Sequence, residues 1–118
     1  QQLGTSEFLK ANGVHIESWG PFVEGRNNLF TNETLVSIAA NHGKSAAQVV
    51  LRWLTQRGVV AIPKSVNPDR IARNFDIFDF TLTRKEMDAI KELDQAKSLF
   101  FSHQDPAMVK FLSEWKID

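Results

Sequence analysis

The sequence predicts an α/β fold, and three observations support this prediction. Two extended segments, residues 14–19 and residues 59–62, are separated by two helical patterns. The second segment is an unbroken apolar run between Gly58 and Pro63, which is typical of a strand buried on both faces of a parallel sheet. Two parallel strands joined by a helical crossover are the basic unit of α/β folds. Because two strands do not make a self-sufficient sheet, we expect the remaining strands from upstream sequence or from another chain.

The segments before the crossover carry clear stop signals. A helix is expected to end near Asn12, with Gly13 just past its end, because glycine tolerates the left-handed conformation found there. Gly20 and Pro21 end the first strand, and a polar loop follows over residues 23–30. Thr31 is the expected N-cap of the next helix. Its predicted inner face has the spacing i, i+3, i+4, i+7 and consists of Leu35, Ile38, Ala39 and His42.

The second crossover helix is expected to begin near Ser45 and to stop at Gly58. Its sequence separates into an apolar face and a polar face. The apolar face carries Ala46, Val50, Trp53 and Leu54, and the polar face carries Gln48, Arg52 and Gln56.

Three further helices are predicted after the second strand. Asn67 caps the first of them, with Pro68 at its first position; Thr83 and Glu86 form the capping box of the second; and Asp105 precedes the last. Between the first two, the alternation of residues 78–82 indicates an edge strand on pattern alone. The apolar residues expected to face inward in these helices are Ile71, Phe75, Met87, Ile90, Met108, Phe111, Leu112 and Trp115.

Composition excludes several classes of function. Lysine plus arginine and aspartate plus glutamate both number 14, which argues against a general binder of nucleic acid or anionic membrane. The absence of cysteine excludes a disulfide framework and a thiolate zinc site, and it fits a reducing compartment such as the cytoplasm. There is also no tyrosine, so no phenolic proton donor comes from this chain. Because it starts at Gln1 without methionine, we expect an end created by cleavage or truncation.

The strongest candidate site follows the second strand, at residues 62–70. The chain turns through Lys64 and Ser65 and enters a helix at Asn67, whose first turn should present free N–H groups and a partial positive charge. Lys64 adds a point charge and Arg70 a planar fork suited to phosphate, while Arg73 and Asn74 follow on the same face. On spacing alone, a phosphate site and a solvated helix end are equally supported.

Three stretches resemble the aldo-keto reductase family, most closely its bacterial diketogluconate-reductase type. They read GKSAAQVVLRW at 43–53, QRGVVAIPKS at 56–65 and NFDIFDFTL at 74–82, within a resemblance from about residue 8 to about residue 94. The resemblance implies a (β/α)8 TIM barrel that binds NADP in extended form. Residues 1–118 would be its C-terminal part, containing the last two barrel strands and their helices. In such barrels, phosphates bind in the loops after these strands. Because the family does not form a strand at residues 78–82, the resemblance lowers the expectation of an edge strand there.

The resemblance also implies roles for the residues after the second strand. Lys64 and Arg70 would contact the adenosine 2′-phosphate, Arg70 would also stack on the adenine, and Asn74 would hydrogen-bond the adenine edge. Arg73 stands where the family often has glutamate, which departs from the family pattern. The cofactor-binding set expected here is Lys64, Ser65, Val66, Asn67, Arg70 and Asn74.

A second match, ESWGPF at 17–22, resembles the aromatic-Ser-Pro-Leu segment that ends the family's seventh strand. By this resemblance Trp19 stacks on the nicotinamide, and Gly20, Pro21 and Phe22 complete the segment. Gly20 replaces the usual serine, so a hydroxyl contact to the cofactor is lost, and Phe22 replaces leucine. Without the family, Trp19 would be interpreted as a buried core aromatic.

No catalytic residue is expected in this chain, because the family's Asp, Tyr, Lys and His tetrad comes from earlier strands and loops. His15, His42 and His103 are expected to be structural, and no metal site is expected. The resemblance implies NADPH-dependent reduction of a small-molecule aldehyde or ketone, with the missing N-terminal part of the barrel as partner. A non-catalytic, redox-sensing NADP-binding module on the same fold is the alternative. A third possibility is a proteolytic piece that associates with its other half.

Overall fold

The computed structural model of the chain describes residues 1–25, 27–96 and 105–115. In chain order, its regular elements are α1 (Leu3–Ala11), β1 (Glu17–Ser18), two 3-10 turns (Val23–Gly25 and Leu29–Thr31), α2 (Glu33–His42), α3 (Ala46–Gln56), β2 (Val60–Ala61), α4 (Pro68–Phe75), α5 (Arg84–Lys91) and α6 (Pro106–Glu114). Among the described residues, no helix combines the length and the apolar character needed to span a bilayer.

The two strands pair in parallel, as the sequence predicts. Glu17 lies opposite Val60 and Ser18 lies opposite Ala61. The Val60 N–H donates to the Ile16 carbonyl at 3.0 Å, and the Ile62 N–H donates to the Ser18 carbonyl at 2.9 Å. The first strand is shorter than the predicted residues 14–19, since only the residues in register with the second strand have a partner.

The core lies between the strands and the two crossover helices. Leu35, Val49 and Leu51 are its largest fully buried side chains. The predicted apolar faces of α2 and α3 are confirmed, and Ile90 of α5 closes the core as expected, with Met87 packed against it. The buried members of these faces are Leu35, Ile38, Ala39, Ala46, Val50, Trp53, Leu54 and Ile90.

Leu35→Ala tests this core. The side chain is 1% exposed, and we expect its truncation to lower the free energy of unfolding by about 2–5 kcal/mol, because the cavity it leaves cannot fully collapse. Val36→Ala on the same helix is the control: Val36 is 46% exposed, so its truncation should cost at most about 0.5 kcal/mol. Urea unfolding followed by circular dichroism measures both, and similar losses for the two variants would contradict this core.

Most helix ends follow the sequence signals, with one correction. The capping box predicted at Thr83 forms, and the helix expected to begin near Ser45 starts with a capping box that was not predicted. The N-cap of α2, however, is Asn32 and not Thr31: its side chain accepts from the Leu35 N–H at 3.2 Å. Thr31 instead closes the preceding 3-10 turn through its N–H and the Asn28 carbonyl. Asparagine caps a helix at least as well as threonine, so two adjacent good caps left the start ambiguous.

Several apolar residues predicted to be buried are exposed. Val60 and Ile62 are 46% and 47% exposed, so the prediction that β2 is buried on both faces is wrong. Among the described residues, only the face toward α3 is covered, because two strands offer no second layer. The same correction applies to the inward faces predicted for α4 and α6. Their exposed residues are Ile71, Phe75, Phe111, Leu112 and Trp115, while Met108 is half-buried.

The linking segment between α4 and α5, residues 76–82, is held by side chains and not by a neighbouring strand. The edge strand predicted at residues 78–82 is therefore wrong. Gln56 accepts from the Leu82 N–H at 2.8 Å and donates to the Leu82 carbonyl at 3.1 Å, and Arg52 donates to the Thr81 hydroxyl at 3.1 Å. The predicted polar face of α3 thus supplies the hydrogen bonds that a strand would supply. The alternation of this segment serves to bury Leu82 and to pack Phe80 against the core.

Candidate functional site

The parallel register places both candidate segments at one edge of the sheet. Because β1 and β2 run in the same direction with Ser18 opposite Ala61, the residues that follow each strand emerge together. Trp19, Gly20 and Pro21 follow β1, and Ile62, which bonds to Ser18, leads into the turn at Lys64. Ligands of α/β folds bind at the carboxyl ends of parallel strands. The fold therefore brings the two segments to the edge where a ligand is expected.

Trp19 presents its ring outward in this structure. It is 66% exposed, so its interpretation as a buried core aromatic is wrong here. The Val23 N–H donates to the Gly20 carbonyl at 3.1 Å and closes a turn directly after it. Phe22 is half-buried, packs against the core, and lies 5.6 Å from Phe30 between ring centroids. A half-buried Phe22 and a tight turn thus hold the backbone that follows Trp19.

The turn that leads into α4 uses part of its own hydrogen-bonding capacity. Ser65 Oγ accepts from the Asn67 N–H at 3.1 Å, and Asn67 Oδ1 accepts from the Arg70 N–H at 3.1 Å. The expectation of several free amides in this first turn is therefore corrected. Among the described residues, Asp69 is the one residue of the first helical turn whose amide has no hydrogen-bond partner, and the amides of Lys64, Ser65 and Val66 in the preceding turn have none either.

The charge around this turn is predominantly positive. Lys64, Arg70 and Arg73 are exposed, and none of them forms a salt bridge with another described residue. Asp69 is the acidic residue in the first turn of α4, where it opposes an anion. Three cationic side chains against one carboxylate favour a negatively charged ligand, and the charge comes from side chains more than from helix amides.

Ser65 and Asn74 line the same cavity, although they are nine positions apart in the sequence. This cavity of about 310 Å³ lies between α4 and α3, and Thr55 and Ile71 also line it. Trp19, Gly20 and Pro21 line a separate cavity of about 500 Å³. The structure therefore gathers the predicted residues into two sets at one edge of the sheet, one per strand, and does not join them in a single pocket.

The two described histidines lie away from both sets. His15 is exposed before β1, and His42 Nε2 lies 3.0 Å from Glu86 Oε1 with its ring 5.1 Å from Phe80. The bonds from Thr83 and His42 to Glu86 outweigh the opposing effect of burial and lower the pKa of that carboxyl. His103 lies outside the described residues. Within the described ranges, no three His, Asp or Glu side chains cluster as metal ligands would.

Two residues that the sequence did not single out for the site, Lys44 and Gln48, hold the far end of α4. Gln48 Nε2 donates to the Asp76 carbonyl at 2.8 Å, and Lys44 Nζ donates to Asp76 Oδ2 at 2.9 Å. Gln48 is 5% exposed, although the sequence pattern placed it on a polar face. Its capping-box position was the visible signal, and that position explains its bonds to Ser45 but not those to Asp76.

Comparison with known proteins gives a consistent set of relatives. The family model described as Aldo/keto reductase family matches residues 1–95. Glyoxal reductase of Bacillus subtilis (strain 168) is 47% identical over 89 residues, which are 75% of this chain and 32% of the relative. Methylglyoxal reductase DkgA of Escherichia coli (strain K12) is 44% identical over 99 residues, or 84% of this chain and 36% of the relative. The chain spans about a third of the length of these curated relatives.

Solved structures agree with the described fold. An aldo-keto reductase enzyme from a Medee basin deep-sea metagenome library superposes with a TM-score of 0.84 at 36% identity, covering 89% of this chain and 39% of that one. A mutant of Gox0644 in complex with NADPH superposes with a TM-score of 0.76 at 42% identity, covering 80% of this chain and 34% of that one.

Proposed function

The chain belongs to the aldo/keto reductase family, and on that premise we propose that it forms the NADP-binding C-terminal part of a (β/α)8 barrel that reduces an aldehyde or ketone to the alcohol. One observation carries the proposal. The parallel register of β1 and β2 brings the Trp19 segment and the Lys64–Asn74 segment to the same edge, which is where barrels of this class bind their ligands.

The adenosine end of the cofactor fits the positive turn before α4. Lys64 and Arg70 would pair with the 2′-phosphate, whose dianion matches a point charge and a planar fork. The Ser65 hydroxyl and the free Val66 amide lie in the same turn. Asn74, at the wall of the cavity it shares with Ser65, would meet the adenine edge. Asn67 acts through the cap it provides to Arg70.

The nicotinamide end fits the segment after β1. When bound, NADPH supplies the hydride for the reduction. Trp19 would cover one face of the nicotinamide with its exposed ring, so that water is excluded from that face and the other face is turned toward the carbonyl. Gly20 offers backbone alone at the next position, and Pro21 and Phe22 keep the segment rigid.

The proton that completes the alcohol has to come from elsewhere in the barrel. This chain contains no tyrosine, whereas the family's proton donor is a tyrosine of the N-terminal part. We use the term assembled barrel for this chain together with that N-terminal part, on the same or on a separate polypeptide. Since two relatives are named glyoxal reductase and methylglyoxal reductase, methylglyoxal is the first substrate to test.

The assembled barrel is expected to oxidise NADPH when methylglyoxal is added. The loss of NADPH absorbance measures the rate, and the same mixture without a carbonyl is the control. NADPH binding without turnover of methylglyoxal or of other aldehydes and ketones would replace the proposal with a non-catalytic cofactor-binding module. Absence of NADPH binding would contradict the proposal as a whole.

A further inference from the structure

Helix α4 carries Arg70 and Asn74 and lies against α3, but its own side chains are not buried there. None of its eight residues is buried, and its apolar side chains Ile71 and Phe75 are exposed. At its first turn, α4 continues from the loop that follows β2. Its position therefore depends on what holds its last turn.

The last turn is held through Asp76, the C-cap residue of α4. The Asp76 N–H closes the helix on the Ala72 and Arg73 carbonyls. Its carbonyl accepts from Gln48 Nε2 at 2.8 Å, and its carboxylate accepts from the same Nε2 at 3.1 Å. Three hydrogen bonds from α3 and the residues before it thus meet at Asp76, when the 2.9 Å contact from Lys44 is included.

Gln48 is itself fixed at its other end. Its Oε1 accepts from the Ser45 N–H at 3.0 Å and from the Ser45 hydroxyl at 2.9 Å, so both ends of the buried amide are bonded. Buried amides with every group satisfied hold a single orientation. Lys44 completes the contact by also donating to Asp79 at 2.7 Å, a bond that raises the pKa of Lys44 and lowers that of Asp79.

We propose that Gln48, assisted by Lys44, is a positioning residue for the adenosine half of the cofactor. It fixes the C-terminal end of α4 and thereby sets where Asn74 lies relative to Ser65. Asn74 is two positions before Asp76, so it moves with that end. An eight-residue helix is about 12 Å long. A small rotation about its first turn therefore displaces Asn74 far enough to break a hydrogen bond to the adenine. The inference rests on the proposed function of this site.

The test compares two matched variants of the assembled barrel. Gln48→Leu removes the two hydrogen bonds to Asp76. Gln56→Leu, on the same helix as Gln48, removes the two hydrogen bonds to Leu82 and leaves α4 anchored. The probe is adenosine 2′,5′-bisphosphate, which contains only the adenosine half, and calorimetry gives its Kd. We expect Gln48→Leu to weaken binding by about threefold to tenfold and Gln56→Leu to change it by less than about twofold. Both variants should lower the thermal midpoint.

Each outcome decides the inference. Unchanged binding by Gln48→Leu, or equal weakening by both variants, overturns the positioning role and leaves the proposed function intact. A wild-type barrel that does not bind the probe overturns the proposed function and this inference with it. If Gln48→Leu does not fold, Lys44→Met removes the charged contacts to Asp76 and Asp79 and leaves Gln48 in place: weaker binding supports the inference and unchanged binding overturns it.

Discussion

The 118-residue chain alone is expected to show no NADPH-dependent reduction of methylglyoxal, even at high protein concentration. Reduction of a carbonyl needs a proton as well as a hydride, and a positioned general acid contributes about 10²–10⁴-fold to such a step. The family's donor is a tyrosine, and this chain has none. The two described strands also leave the Trp19 side of the site open to water, since Trp19 is 66% exposed. NADPH absorbance in the presence of the purified chain is the measurement.

Two controls make the result specific. Adding the N-terminal part of the barrel by co-expression should restore turnover, whereas that part alone should stay inactive because it lacks Lys64 and Arg70. Turnover by the isolated chain would show that a group other than a phenol protonates the carbonyl. The exposed Glu17, which lines the same cavity as Trp19, would then be the first residue to replace.

The two crossover helices were predicted well, because the spacing of their apolar residues indicates which face of each helix is buried. Leu35, Ile38 and Ala39 fall on one face of α2, and a face of that kind has one way to be buried. The ends of these helices were equally predictable, because Gly43 and Gly58 both adopt positive φ, a conformation that most other residues avoid. The strand, the turn and the capped helix that carry the candidate site were predictable for the same reason, since each is a local signal.

What the sequence could not predict depends on contacts between distant segments. Gln48 looked like part of a polar face, yet it is buried because Asp76, 28 positions later, supplies an acceptor for its amide. Residues 78–82 alternate as an edge strand would, but Gln56 satisfies the backbone of Leu82 and no neighbouring strand is needed. The burial of β2 and α4 was overestimated because periodicity reports which face is apolar and not whether anything covers it.

Arg70→Ala in the assembled barrel is expected to weaken NADPH binding by at least about tenfold and to leave NADH binding little changed. A charge-assisted hydrogen bond is worth about 1.5–3 kcal/mol, and only NADPH carries the 2′-phosphate that Arg70 would contact. Arg70 forms no salt bridge with another described residue, so its removal leaves no partner charge unpaired. Fluorescence titration with each cofactor gives the two Kd values.

Arg84→Ala is the matched control for net charge, because Arg84 is an exposed arginine at the start of α5, outside the candidate site. It should leave both affinities unchanged. Lys64→Ala should repeat the preference shown by Arg70→Ala, since a second cation on the same phosphate discriminates in the same direction. Equal losses for NADPH and NADH would show that Arg70 serves adenine stacking or the structure of α4 instead. In that case the 2′-phosphate would be selected by Lys64 and the Val66 amide alone.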